Sequence, residues 1–323
     1  MMHKIVIDKA VPYIAGVFEP YFDNVIYAPA PEIDASAVRE ADALIIRTRT
    51  KCNAALLEGS NVRFIATATI GMDHIDTIWC ASRGITAVNA PGCNADGVME
   101  YVFAALNVFA KERPLQGATL GVIGVGQVGR RVADMGRKKG FRVLENDPPL
   151  LASGGGGREL TDLDTLLSQS DVVTIHIPLW EQNRDFADAA FFARMKPGAI
   201  FINASRGGIV DEAALLAARS KLGPIAIDVW KGEPDINRQL LKAADIATMH
   251  IAGYTQVGKI NATVASVRAA ANFFGIEHLL QFEIKHTFKP YDIDHYDILQ
   301  DSFALKSAPD DFELLRTGYS LRG

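Results

Sequence analysis

"TLGVIGVGQVGRRVADMG", residues 119–136, runs a continuous apolar segment into Gly124, Gly126 and Gly129 and then into helically spaced apolar positions. The G-x-G-x-x-G spacing predicts a strand, a tight turn and a helix. The first glycine serves the turn, the second lets the main chain approach a pyrophosphate, and the third lets the helix pack closely on the strand. The helix start, at Gln127 and Val128, then points free amides and the positive end of its dipole at the phosphates. Glycine-rich turns are common by themselves; the strand before and the helix after make this one a dinucleotide-binding expectation. Arg137, Lys138 and Lys139 followed by Gly140 read as the dipole-matched end of that helix rather than as a polyanion site.

The next apolar run, "FRVLEND", ends at Asp147, eighteen residues beyond Gly129. A carboxylate there can accept hydrogen bonds from the adenosine ribose hydroxyls and repels a 2'-phosphate. No arginine follows, since Pro148 and Pro149 come next, so the expected cofactor is NAD rather than NADP.

Outward from this unit the same alternation recurs. "KIVID", "NVIYA", "ALIIRT", "RFIATAT" and "ITAVN" precede it, and "DVVTIHIP", "AIFINAS", "PIAIDVW" and "DIATMHI" follow, with helical patterns between them. This order predicts an α/β protein with parallel sheets, and the unbroken apolar runs predict sheets covered on both faces. Eleven strands in 323 residues suit two doubly wound domains. "NAPGCNADGVMEYVFAALNVFAKERPL" offers the border, a proline-glycine turn feeding a helix with Val98, Val102, Phe103, Leu106 and Phe109 on its apolar positions. The four glycines 154–157 read as a flexible loop; no GK[ST] follows them.

Composition narrows the function. A net charge of −5 argues against nucleic acid as a partner. No apolar run reaches membrane-span length and no leader pattern opens the chain, so a soluble, cytoplasmic protein without a membrane partner is expected. Cys52, Cys80 and Cys93 are scattered, with no disulfide framework and no metal-ligand spacing; no metal is expected.

In a doubly wound sheet, ligands gather at the carboxyl ends of the strands. Those ends carry His176, Arg206 in "NASRGGIVD", Asp228 and nearby Glu233 in "DVWKGEP", and His250 in "MHIAGYT". A neutral histidine can take a hydroxyl proton, a glutamate can orient and stabilise the resulting imidazolium, and an arginine fork fits a substrate carboxylate. His176 reads better as a packing residue. Gly253 permits close approach beside His250, and Tyr254 becomes a substrate-contact candidate.

The glycine fingerprint, "NASRGGIVDEAAL", "DVWKGEP" and "HIAGYT", in this order, resemble the D-isomer-specific 2-hydroxyacid dehydrogenases from about Lys4 to the mid-280s. The resemblance implies a discontinuous, flavodoxin-like substrate-binding domain at 1–95 and 255–281, a Rossmann NAD-binding domain at 96–254, and a small C-terminal dimerisation element at 282–323. It places the catalytic set at Arg206, Glu233 and His250. Cofactor contacts fall at Gly124, Gly126, Gln127, Val128, Gly129, Asp147, Ser205, Asp228 and Gly253. "RTRTKCN", "ATATIGMDHID" and "HIAGYTQVGK" further imply a small phosphorylated hydroxy acid as substrate, met by Arg47, Thr48, Thr69 and Tyr254, and the tail implies a homodimer; which arginines bind the phosphate is left open, with Arg316 or Arg322 of a partner subunit's tail as candidates. Two features depart from the family pattern: Ile177 replaces a hydroxyl residue in "HIP", and "LWEQNRDFADAAFF" is a short connection without the usual threonine turn. Other acids of the family's range (3-phosphoglycerate, glyoxylate, hydroxypyruvate) and a non-catalytic NAD-sensing protein are the competing readings.

Overall fold

The computed structural model describes residues 4–323; the expected start of the first domain at residues 1–3 lies outside them. Each of the eleven apolar runs forms a strand: β1 (Lys4–Asp8), β2 (Asn24–Ala28), β3 (Ala43–Ile46), β4 (Phe64–Thr67), β5 (Thr86–Val88), β6 (Thr119–Ile123), β7 (Arg142–Asn146), β8 (Val172–Ile175), β9 (Ile200–Asn203), β10 (Ile225–Ile227) and β11 (Ile246–Ala247).

They build two all-parallel sheets. In the first unit the order is β2-β1-β3-β4-β5, the flavodoxin-like winding. Successive residues feed opposite faces. Ile5, Ile7, Ala43 and Ile45 pack with Val267, Ala270 and Ala271 of the helix Gln256–Phe274. Val6, Leu44, Ile46 and Ile65 pack on the other side with Val38, Leu57 and Cys80. Both faces are dry, so no polar alternation interrupts these strands.

The second unit has the order β11-β10-β9-β8-β6-β7. Its outer strand β7 is flanked by a single parallel bridge, Glu145 to Leu160, at the place where a dinucleotide-binding sheet carries its third strand. That strand is a single residue pair here, and the glycines 154–157 that precede it all have positive φ. The helix Ala95–Phe109 covers one face, with Val98, Val102, Phe103, Leu106 and Phe109 buried beside Leu120, Val122 and Ile202.

The chain passes between the units at Asn94/Ala95, Tyr254/Thr255, Pro290/Tyr291 and Arg322/Gly323. The segment 282–323 does not form a third body. Residues to Pro290 stay with the first unit, and Tyr291–Arg322 joins the second. The cause is burial: in the helices Ile298–Ser307 and Phe312–Thr317, Leu305 and Phe312 enter the second core, and the Ser302 hydroxyl accepts the Ala247 amide at 3.0 Å. Cys52, Cys80 and Cys93 are free thiols. Among the described residues no helix is long and apolar enough to cross a membrane, and no metal-holding cluster of His, Cys, Asp or Glu occurs.

Candidate active site

The glycine loop lies between β6 and the helix Gln127–Lys138. Gly124 has φ +83°, and a Cβ on it would sit 2.7 Å from the His176 carbonyl oxygen; a Cβ on Gly129 would overlap the Gly124 carbonyl. These two glycines are thus required by the protein itself. Gly126 differs, since a Cβ there meets no protein atom within 4 Å. Its freedom is left for a group approaching from outside, next to the first-turn amides of Gln127, Val128 and Gly129 that have no intrahelical acceptor. The loop therefore fits a pyrophosphate.

Asp147 ends β7 and holds the loop by two amides: its carboxylate accepts Val125 N–H at 2.8 Å and, as a helix cap, Leu150 N–H at 2.9 Å. The turn-forming role is thus visible, and the carboxylate, with capacity for about four hydrogen bonds, keeps acceptor sites beyond these two amides. Arg158 and Arg137 both bind the buried Glu145 of the same strand at 2.7 Å.

His176 ends β8, its Nε2 3.0 Å from the Thr174 hydroxyl. Burial pushes its imidazole down to about 3, so it stays neutral at working pH and acts as packing. Ile177 leans on the same core.

Three loops from β9, β10 and β11 are tied together. Asn203 organises the first: its side-chain oxygen accepts the Ser205 amide at 3.1 Å and hydroxyl at 2.9 Å, and its Nδ2 donates to the Arg206 carbonyl. A Cβ on Gly207 would overlap the Trp230 carbonyl, so only glycine lets the Arg206 loop lie against the Trp230–Glu233 loop. That second loop is fixed by Glu212, which accepts Lys231 N–H, and by Trp230 Nε1, which donates to the Thr248 carbonyl, both at 2.8 Å. Gly207 and Trp230 were not singled out in the sequence; a small residue directly after a candidate arginine was the available signal.

Glu233 and His250 meet at 2.8 Å, Oε2 to Nδ1, which leaves Nε2 of the ring for a substrate proton. Glu233 Oε1 accepts the Trp230 amide at 2.8 Å, and Arg316 NH1 stands 3.7 Å from Oε2. Burial pushes the Glu233 carboxyl up, but the hydrogen bond and charge of His250, the Trp230 amide and Arg316 outweigh it and hold the group below its ordinary value. A carboxyl depressed in this way stabilises the fold fully above its unfolded value, and the contribution fades as pH falls through the lower folded one.

His250 is one of three non-glycine residues with positive φ among the described residues, at +59°. Such a conformation costs about 1–2 kcal/mol and persists where neighbours over-determine it. Asp228 supplies much of that. Only 1% exposed, its carboxylate accepts the amides of Ile251 at 2.8 Å and Ala252 at 3.0 Å and the Thr248 hydroxyl at 2.7 Å, while its carbonyl accepts His250 N–H. Burial raises its carboxyl against these bonds. These bonds make it the residue that holds this turn. Gly253 and Tyr254 follow, half-buried, the tyrosine ring edge-on to Tyr319 at 6.3 Å.

The tail arginines lie in their own chain. Arg316 faces Glu233; Arg322 is buried against Glu100 at 2.7 Å, with 9% of its side chain exposed.

In the first unit, Arg47 follows β3, with NH1 donating to the Ala10 carbonyl at 3.3 Å and a buried Nε lacking a hydrogen-bond partner among the described residues. Thr48 is exposed. Thr69 follows β4, its hydroxyl 2.7 Å from that of Thr67 and donating to the Gly71 carbonyl; His74 Nε2 reaches Thr67 at 3.1 Å.

Residues 103–252 match the family model described as the D-isomer specific 2-hydroxyacid dehydrogenase, NAD binding domain, so the cofactor is NAD. Over 99% of its length the chain is 43% identical to an erythronate-4-phosphate dehydrogenase of Bacteroides fragilis, covering 96% of that protein. It is 42% identical over 87% of its length to an erythronate-4-phosphate dehydrogenase of Salmonella typhi, covering 76% of it. Among solved structures, the NAD+-bound 3-phosphoglycerate dehydrogenase of Entamoeba histolytica shares the fold at a TM-score of 0.72 and 23% identity, over 89% of this chain and 99% of that one. The glycine loop, the Glu233–His250 pair and near-full-length identity meet in one statement: the chain belongs to the D-isomer-specific 2-hydroxyacid dehydrogenases, among the erythronate-4-phosphate dehydrogenases.

Proposed function

We propose that the protein oxidises the C2 hydroxyl of 4-phospho-D-erythronate to the ketone, giving (R)-3-hydroxy-2-oxo-4-phosphobutanoate on the route to pyridoxal 5'-phosphate. The observation that carries this reading is the 2.8 Å His250–Glu233 bond at the carboxyl edge of the sheet that bears the glycine loop. Bound NAD supplies the hydride acceptor. His250 Nε2 takes the hydroxyl proton, and Glu233 keeps the ring in the Nδ1–H tautomer and stabilises the cation that forms. Arg206 offers its fork to the C1 carboxylate and steadies charge on the adjacent oxygen. Arg47, Thr48, Thr69 and Tyr254 are the proposed substrate contacts, and the partnerless Nε of Arg47 supports an anion there. Gly124, Gly126, Gln127, Val128, Gly129, Asp147, Ser205, Asp228 and Gly253 are the proposed cofactor contacts, with Asp228 acting through the turn it holds.

Reduced-nicotinamide absorbance after mixing the protein with NAD and 4-phospho-D-erythronate tests the assignment. Turnover of 3-phosphoglycerate, glyoxylate-type or unphosphorylated acids with none of this one sinks it. In the same assay Arg47→Ala should raise KM about 10-fold or more with kcat little changed; an unchanged KM removes Arg47 from the site.

Glu233→Gln should lower kcat about 10- to 100-fold at near wild-type NAD affinity, because the ring loses the carboxylate that fixes its tautomer. A kcat within threefold of wild type contradicts the pairing.

A homodimer, assembled through the tail, is the proposed state. Leu299, Phe303 and Leu314 of the tail helices are 45%, 73% and 70% exposed, an apolar set that suits a second copy of the same face. A monomeric mass in solution removes it.

A further inference from the structure

The turn that carries His250 is gripped from two sides by opposite charges. On the amide side is Asp228, already described. On the carbonyl side is Arg322, seventy residues or more further along the chain: NH1 donates to the Ile251 carbonyl at 3.1 Å and NH2 to the Ala252 carbonyl at 2.6 Å, while its backbone N–H donates to the Tyr254 carbonyl at 3.3 Å. Ile251 and Ala252 therefore have both main-chain groups held by charged partners, N–H by a carboxylate and C=O by a guanidinium.

The grip is itself anchored. Arg322 Nε binds Glu100 at 2.7 Å, NH2 also reaches the Gly97 carbonyl, and the Tyr296 ring lies 4.1 Å from the guanidinium carbon. Glu100 is 3% exposed, and its other oxygen accepts the Asp292 amide at 2.5 Å, which pins the start of the tail. A buried arginine needing only a counter-charge would be satisfied by Glu100. Of the additional donors, NH1 also reaches the Tyr319 hydroxyl at 3.3 Å, and the shorter bonds, at 3.1 and 2.6 Å, go to the carbonyls of the two residues directly after His250.

We propose that Arg322 is a positioning residue for His250, so that the C-terminal segment completes the catalytic unit of its own chain. His250 sits at positive φ, a conformation it keeps only while its neighbours are fixed. Charge-assisted bonds to successive peptides are a strong way to fix them. When the carbonyl side is released, the turn relaxes, and the imidazole loses its alignment on Glu233 and on the substrate hydroxyl. Positional errors near 1 Å cost a reaction about 100-fold.

This inference rests on His250 being the acid/base group, so His250→Gln is measured beside the Arg322 variants of the full chain with NAD and 4-phospho-D-erythronate. Arg322→Ala should lose about 10- to 100-fold in kcat, while KM for the acid and NAD affinity by fluorescence titration stay within about threefold. Guanidinium ion at millimolar concentration, far below denaturing levels, should restore part of that kcat and leave the wild type unchanged. If His250→Gln is fully active, the acid/base reading fails; if it is dead while Arg322→Ala keeps wild-type kcat, only the positioning role fails. Should Arg322→Ala not fold, Arg322→Lys keeps a charge without the fork. A lowered kcat at wild-type NAD affinity then supports the role, and insolubility of both variants overturns it in favour of whole-unit stabilisation.

Discussion

Replacing His250 by glutamine is expected to lower kcat by about 10²–10⁴-fold, the usual worth of a placed general base, while NAD affinity stays within about threefold. Glutamine can keep a polar group beside Glu233 but cannot take up the hydroxyl proton. Among the described residues the glycine loop and Asp147 share no hydrogen bond with His250, so dinucleotide affinity has no reason to fall. His250→Asn serves as the control for backbone effects, because asparagine tolerates the left-handed region better than most residues. Equal losses in both variants assign the effect to the missing base. A kcat within tenfold of wild type in either would remove His250 from the chemistry, and loss of NAD binding in a folded variant would make it structural.

The second large effect is expected at Arg206. Its loop is held by the Asn203 side chain and by the packing of Gly207 on Trp230, so the loop survives when the guanidinium is removed. Arg206→Gln should therefore act locally, lowering kcat/KM by about 10²–10³-fold, with KM for the acid raised and kcat reduced. Arg206→Lys should recover only part, since an ammonium supplies charge without the planar pair of donors. Steady-state kinetics at saturating NAD decide it; KM and kcat both within threefold of wild type for the glutamine variant would exclude a substrate role.

Much of the architecture is visible in the residue pattern because both sheets are covered on both faces: Ile5 to Ile7 and Ala43 to Ile46 are uniformly buried, and no solvent-facing position breaks the run. The short strands are the exception. β11 keeps only Ile246 and Ala247, because the chain turns at once into the Asp228-held loop. The Glu233–His250 pair was legible because both ends of the bond stand beside strand ends on one sheet edge. Asp228 reads as a ligand contact for the same reason, while its burial and its main-chain partners are not encoded by position. The tail was least legible. Its placement depends on Leu305, Phe312 and an ion pair between Glu100 and Arg322, contacts made across most of the chain and invisible to any local period.

The single bridge beside β7 has a consequence of a different kind. A strand with an open flank is a template on which another chain can add itself, and proteins guard such flanks with inward-pointing charge. β7 carries that guard at its bridge: Glu145, fully buried, is locked by Arg137 and Arg158, and Arg158 also binds Asp134 at 2.9 Å. An incoming strand would have to break this ion cluster and displace the 158–161 segment before making its first ladder bond. The single bridge thus ends the sheet at its nucleotide-binding end without leaving it open to strand-by-strand association.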